Sequence, residues 1–129
     1  MTEDSPVNLT EKEYSIIDML QSLGLPRTEA TAIVCLKDCK ELRSLHIELV
    51  SGLRQPEVSV AMRPLRDRGW VDERSEKKNK GKGRPVKYYQ LTVPFPKIVQ
   101  TLEEEFLRDN TEKMIALKRL RELEIIMQN

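Results

Sequence analysis

Aromatic residues are scarce in this sequence, with one Trp, three Tyr and two Phe among 129 residues. Any core it builds is therefore mostly aliphatic. Histidine occurs once, at His46, and cysteine twice, at Cys35 and Cys39. Two thiols and one imidazole fall short of the four-ligand set of a structural zinc site, so no metal is expected. Cys35 and Cys39 read as buried thiols on a helix, with a redox or metal switch as the alternative. No nucleophile stands paired with a base, and no glycine loop cradles phosphate at a strand-to-helix turn; neither catalysis nor a cofactor is expected. The acids Glu103 to Glu105 read as a solvated helix face. No run approaches the ~20 apolar residues that a membrane span needs. The opening residues are acidic and polar, unlike a signal or transit peptide, so a cytoplasmic location is expected.

An excess of one charge sign is also missing overall, since the net charge is +1. Its distribution is another matter. Residues 54–91 hold eleven basic side chains against five acidic ones, an excess of six, which leaves −5 on the remainder. A polyanion would be attracted to one region of such a molecule and repelled by the rest. At this length the chain reads as one domain with a modest core and little left over.

Residues 1–9 read as a disordered arm. Thr10 and Glu13 form a capping box, each side chain covering an orphan amide of the other. Tyr14, Ile17, Leu20 with Met19 and Leu23 then recur at helical spacing up to Gly24, which predicts a helix over about 11–23. Pro26 suits the first turn of a second helix, carried by Ala30, Ile33, Val34 and Leu36 through about Lys37. The polar stretch 38–43 leaves room for a very short edge strand. Ser44 is placed to cap a third, short helix with Leu45, Leu49 and Ile47 turned inward, stopping at Ser51 and Gly52.

A fourth helix begins near Gln55 and Pro56. Val58, Met62 and Leu65, with Ala61 beside them, give it one buried stripe. Pro64 sits inside this pattern, where it removes a hydrogen bond at a cost of roughly 3 kcal/mol, so a kink or early loosening is expected. After Gly69, residues 70–76 alternate as a strand, and Val86 to Leu91 is its natural partner, with Tyr88 or Tyr89 and Leu91 packed on the helices. Between them runs KKNKGKGRP, residues 77–85, too hydrophilic to pack and very basic. From Lys97 onward there is neither glycine nor proline. Val99, Leu102 and Phe106 make one apolar seam, and Ala116, Leu120, Leu123 and Met127 another. Polar residues 109–112 separate the two, so this segment is one long helix or two joined ones.

That order, a turn and helix followed by a strand, a basic loop and a strand, is how a winged helix-turn-helix presents a recognition helix to the DNA major groove. The expected fold is mainly α with a small β-hairpin (α+β), followed by a long C-terminal dimerisation helix. On the recognition helix Gln55 and Arg63 are candidates for base contacts, because arginine grips guanine and glutamine adenine with two bonds each. Ser59 and Val60 are short enough to let the helix sit deep, beside Pro56. Glu57 either accepts from cytosine or favours the positive helix N-terminus. Arg54 and Arg66 suit phosphates, as do Ser44 and His46 at the start of the third helix. In the wing, Lys77, Lys78, Lys80, Lys82, Arg84 and Lys87 either enter a narrow minor groove or touch phosphates without sequence preference.

The sequence resembles winged-helix transcriptional regulators, especially the TrmB-like, MarR-like and ArsR-like proteins common in archaea. LGLPRTEA at 23–30 looks like the opening of TrmB-like domains. QPEVSVAM at 55–62 is similar to their recognition helix, RGWV at 68–71 to its exit, and KGRPVKY at 82–88 to a wing tip and return strand. The likeness spans roughly residues 10–92. Pro64 departs from the pattern, and no effector-binding domain follows the wing, so sugar sensing is not implied. The resulting expectation is an arm at 1–9, a winged-helix domain at 10–93 and a helical dimerisation segment at 94–129. The protein would be a homodimeric, sequence-specific regulator on double-stranded DNA, acting without membrane or cofactor. The alternatives are a winged-helix protein–protein adaptor and a non-specific architectural DNA binder.

Overall fold

A computed structural model describes residues 9–38, 41–77 and 85–128. The order is α1 (Glu11–Ser22), α2 (Arg27–Leu36), β1 (Leu42–Arg43), α3 (Ser44–Ser51), α4 (Gln55–Asp67), β2 (Val71–Glu76), β3 (Val86–Leu91) and α5 (Phe95–Gln128). The three strands are antiparallel in the order β1-β3-β2. This is the winged-helix architecture, α+β with a long final helix. The chain divides into two compact units, one ending at Phe95 and one starting at Pro96.

Local chemistry sets most of the boundaries. Thr10 caps α1, its hydroxyl accepting from the Glu13 amide at 3.2 Å while Glu13 accepts from the Thr10 amide at 2.8 Å. Leu9, grouped with the arm by the sequence, is buried. Both α1 and α4 end on a glycine with positive φ, Gly24 at 106° and Gly69 at 79°. At the end of α4 the Gly69 amide donates to Arg66 at 2.9 Å and the Trp70 amide to Leu65 at 3.0 Å. That is a Schellman motif, and its hydrophobic pair, Leu65 with Trp70, is buried.

The core of the first unit is aliphatic. Ile17 and Leu20 of α1, Ala30 to Leu36 of α2, Ile47 of α3, and Val58, Ala61, Met62 and Leu65 of α4 are all buried. The wing strands add Val71 and Tyr89. Of the two tyrosines left open by the sequence, Tyr89 is the one packed inward; Tyr88 lies under the Arg74 guanidinium, 4.3 Å away.

Three local expectations are corrected. In α3, Leu45 and Leu49 are exposed, at 51% and 66%, while Ile47 is fully buried. Residues two apart lie roughly 200° apart on a helix, so these three could not all face inward. Ser44 does not cap α3. Arg43 holds that position, and the Ser44 hydroxyl donates to the Glu48 carboxylate at 3.3 Å instead. Pro64 does not loosen α4, which continues to Asp67 with the Arg68 amide donating to the Pro64 carbonyl at 3.0 Å. The fully buried Leu65 anchors the final turn, so the missing proline donor does not unravel it.

The C-terminal segment is one helix of 34 residues rather than two. Ile98 and Leu102 are buried. Val99 and Phe106 are exposed, as are Leu120, Leu123 and Met127. Among the described residues, no helix is long and apolar enough to cross a membrane.

Candidate nucleic-acid interface

The candidate recognition helix is held by its turn. Gly52 takes φ +78°, a left-handed conformation that costs other residues strain, and its amide donates to Glu48 at 2.9 Å. The Ser51 hydroxyl then accepts from the Leu53 amide at 3.1 Å. Pro56 occupies the first turn of α4, and the Glu57 carboxylate accepts from the Arg54 amide at 2.9 Å.

With Val58, Ala61, Met62 and Leu65 turned inward, α4 presents Gln55, Pro56, Glu57, Val60, Arg63 and Arg66 outward. Val60, an apolar side chain among these polar ones, is 64% exposed. Pro56, Glu57 and Val60 border a shallow hollow of about 230 Å³ with Thr28, the second residue of α2. Ser59 behaves differently from its neighbours. It is half-buried, and its hydroxyl lies against that of Tyr89, with the Glu73 carboxylate close by. Burial, and next the negative charge of Glu73, hold the Tyr89 phenol above its usual range, while Ser59 and Arg66 pull it down. So α4 is bolted to β3 and β2 through polar atoms as well as by its apolar stripe.

The same carboxylate engages two expected phosphate contacts. Arg66 lies 3.2 Å from Glu73, and Lys87 lies 3.9 Å from it. Arg74, another member of the basic excess, is gripped by Glu41 through two nitrogens at 3.1 and 2.8 Å and by Glu76 at 2.7 Å. Its hydrogen bond to Arg74 keeps the Glu41 carboxyl below the usual range. By contrast Arg43, Arg54, Arg63 and Lys77 are exposed and make no ion pair among the described residues. Among the described residues, the outward positive charge therefore sits on fewer side chains than the count of lysines and arginines suggests.

One open groove, about 430 Å³, gathers much of this. Arg43, Ser44, Leu45 and Glu48 line one side, Gln55 the floor of the turn, and Pro85, Val86 and Lys87 the base of the wing. It joins the start of α3 and the start of α4 to β3, bringing together the predicted Ser44, Gln55 and Lys87. His46 is half-buried on α3 and does not line it. Arg43 and Glu48 carry no signal in the sequence that would have marked them. Arg43 belongs here because β1 pairs with β3, Arg43 opposite Tyr88, and no periodicity in a two-residue strand announces that pairing. The wing candidates Lys78, Lys80, Lys82 and Arg84 lie outside the described residues, as does Cys39; Cys35 is a buried thiol. Among the described residues no cluster of three or more His, Cys, Asp or Glu could hold a metal.

No protein-family model matches the chain, and no curated protein matches it. Among solved structures it is similar to that of TrmBL2, described as an archaeal chromatin protein whose structure shows a novel mode of DNA binding. The TM-score is 0.61 at 20% identity, over 86% of this chain and 40% of that one. The likeness is one of fold, and this chain spans two-fifths of the other's length.

Proposed function

We propose that the chain is a homodimeric, sequence-specific regulator of transcription that binds double-stranded DNA. In this reading α4 enters the major groove and the basic wing lies on the minor groove or backbone. One observation carries it: the outward face of α4, Gln55, Val60 and Arg63, is flanked by Arg43 and Arg54, cations that make no ion pair among the described residues. Gln55 and Arg63 would meet base edges, while Arg43, Arg54 and the groove at Ser44 would meet phosphates. Arg66 and Lys87 would act chiefly by orienting Glu73 and the wing strands. The DNA-binding unit would cover residues 10–93, with residues 94–129 joining two copies, so that two recognition helices reach successive major grooves about 34 Å apart. The role is binding rather than catalysis, in the cytoplasm or on the nucleoid.

Selection of bound duplexes from a random pool, followed by anisotropy titrations, tests this. A recovered two-fold motif is expected. Arg63→Ala should relax preference at one position of each half-site, by about 1–3 kcal/mol of discrimination. Equal affinity for every duplex would remove the sequence-specific reading. It would leave an architectural one, which the chromatin protein of similar fold supports.

A further inference from the structure

The continuity of α5 puts two separate-looking seams on one stripe. Val99, Phe106, Lys113 and Leu120 recur seven apart, and Leu102, Asp109, Ala116 and Leu123 recur seven apart, three residues behind. Together they form one heptad seam whose two middle layers are charged, Asp109 and Lys113. The helix is also electrically divided. Residues 95–112 carry five acids and two bases, whereas residues 113–128 carry four bases and two acids.

We infer that two copies pair through α5 in antiparallel order, with Asp109 of each opposite Lys113 of the other. The inference rests on the homodimer proposed above and fixes its geometry. A parallel, in-register pair would set Asp109 against Asp109 and Lys113 against Lys113 at the seam, and the acidic half of each helix against an acidic half. Like charges so placed oppose association. Reversing one helix relieves both charged layers at once. Asp109 meets Lys113 twice, the bulky Phe106 meets the small Ala116, and Val99 meets Leu123. Leu102 is 2% exposed, so at that end of the seam the second copy packs on Val99 and Phe106, both exposed. The charged middle layers weaken the seam but select orientation, as buried polar pairs do in coiled coils.

Cysteine cross-linking separates the arrangements, with the unsubstituted chain run alongside as background. Positions 106 and 116 lie roughly 15 Å apart along one helix, beyond the reach of a disulfide. Under oxidation Phe106→Cys alone and Ala116→Cys alone should stay uncrosslinked, and the double variant should form a covalent dimer. Cross-linking of either single variant would mean parallel pairing and would overturn the inference while leaving the dimer intact. A monomeric unsubstituted chain in sedimentation would instead overturn the dimer itself. As a second readout, Asp109→Lys should weaken dimerisation about tenfold, and adding Lys113→Asp should restore it. Absence of rescue, with helicity by circular dichroism unchanged, would also overturn the antiparallel order.

Discussion

Replacing Tyr89 by phenylalanine removes one oxygen from the junction between α4 and the wing and leaves the ring's packing in place. Tyr89 is 1% exposed, and its hydroxyl lies beside the Ser59 hydroxyl and the Glu73 carboxylate. A hydrogen bond to a charged acceptor contributes roughly 1.5–3 kcal/mol. Part of that survives the substitution, because Glu73 keeps Arg66 at 3.2 Å and Lys87 at 3.9 Å, and half-buried Ser59 reaches water. The expected decrease in stability is therefore about 1–2 kcal/mol, or about 4–16 °C in melting temperature for a domain of this size. Urea unfolding followed by the single tryptophan, Trp70, which is buried, reads the difference directly. The dependence on pH supplies an independent check. The folded phenol titrates above its unfolded value, so its stabilising effect is complete below about pH 10 and is lost as pH rises from there through the raised folded value. The gap between native chain and variant should thus narrow above pH 10. A decrease below about 0.5 kcal/mol at neutral pH, or a gap that widens in alkali, would refute the coupling of α4 to the wing through this oxygen; the threshold is the scale of ordinary surface substitutions.

Other outcomes follow from the same structure. Gly52→Ala should destabilise by about 1–2 kcal/mol in the same urea assay, because a Cβ there has open space and the cost is wholly that of φ +78°. Met62→Ala should cost about 2–5 kcal/mol in thermal unfolding, since Met62 is fully buried among aliphatic neighbours that cannot collapse into the gap. Arg43→Ala should weaken binding to all duplexes alike and flatten the log–log salt dependence by about 0.9, the signature of one phosphate no longer neutralised. An unchanged slope would place Arg43 away from the DNA backbone.

Much of the fold was legible because its signals are local. The capping box at Thr10 and Glu13, the glycine stops at 24, 52 and 69, and the stripe Val58, Met62, Leu65 each depend on residues within a turn or two. The candidate interface was legible only in outline. Periodicity located α4 and showed which side of it turns outward. It did not show that Arg66 and Lys87 converge on Glu73, that Arg74 is held by Glu41, or that Ser59 reaches back to Tyr89. Most of those partners lie well apart in the chain, 33 residues in the case of Glu41 and Arg74, and they meet only where strands and α4 pack together.

By itself, then, the sequence determined the order of the elements, the buried stripe of α4 and the concentration of positive charge in one region. Each is written in residue type and spacing. Tertiary structure alone decided which of those charges face outward, which leucines of α3 are covered, and whether the two apolar seams beyond Lys97 lie on one helix. A side chain's partner depends on where two segments meet in space, and only the packed chain brings Arg43 beside β3, or carries Phe106 and Ala116 along a single α5.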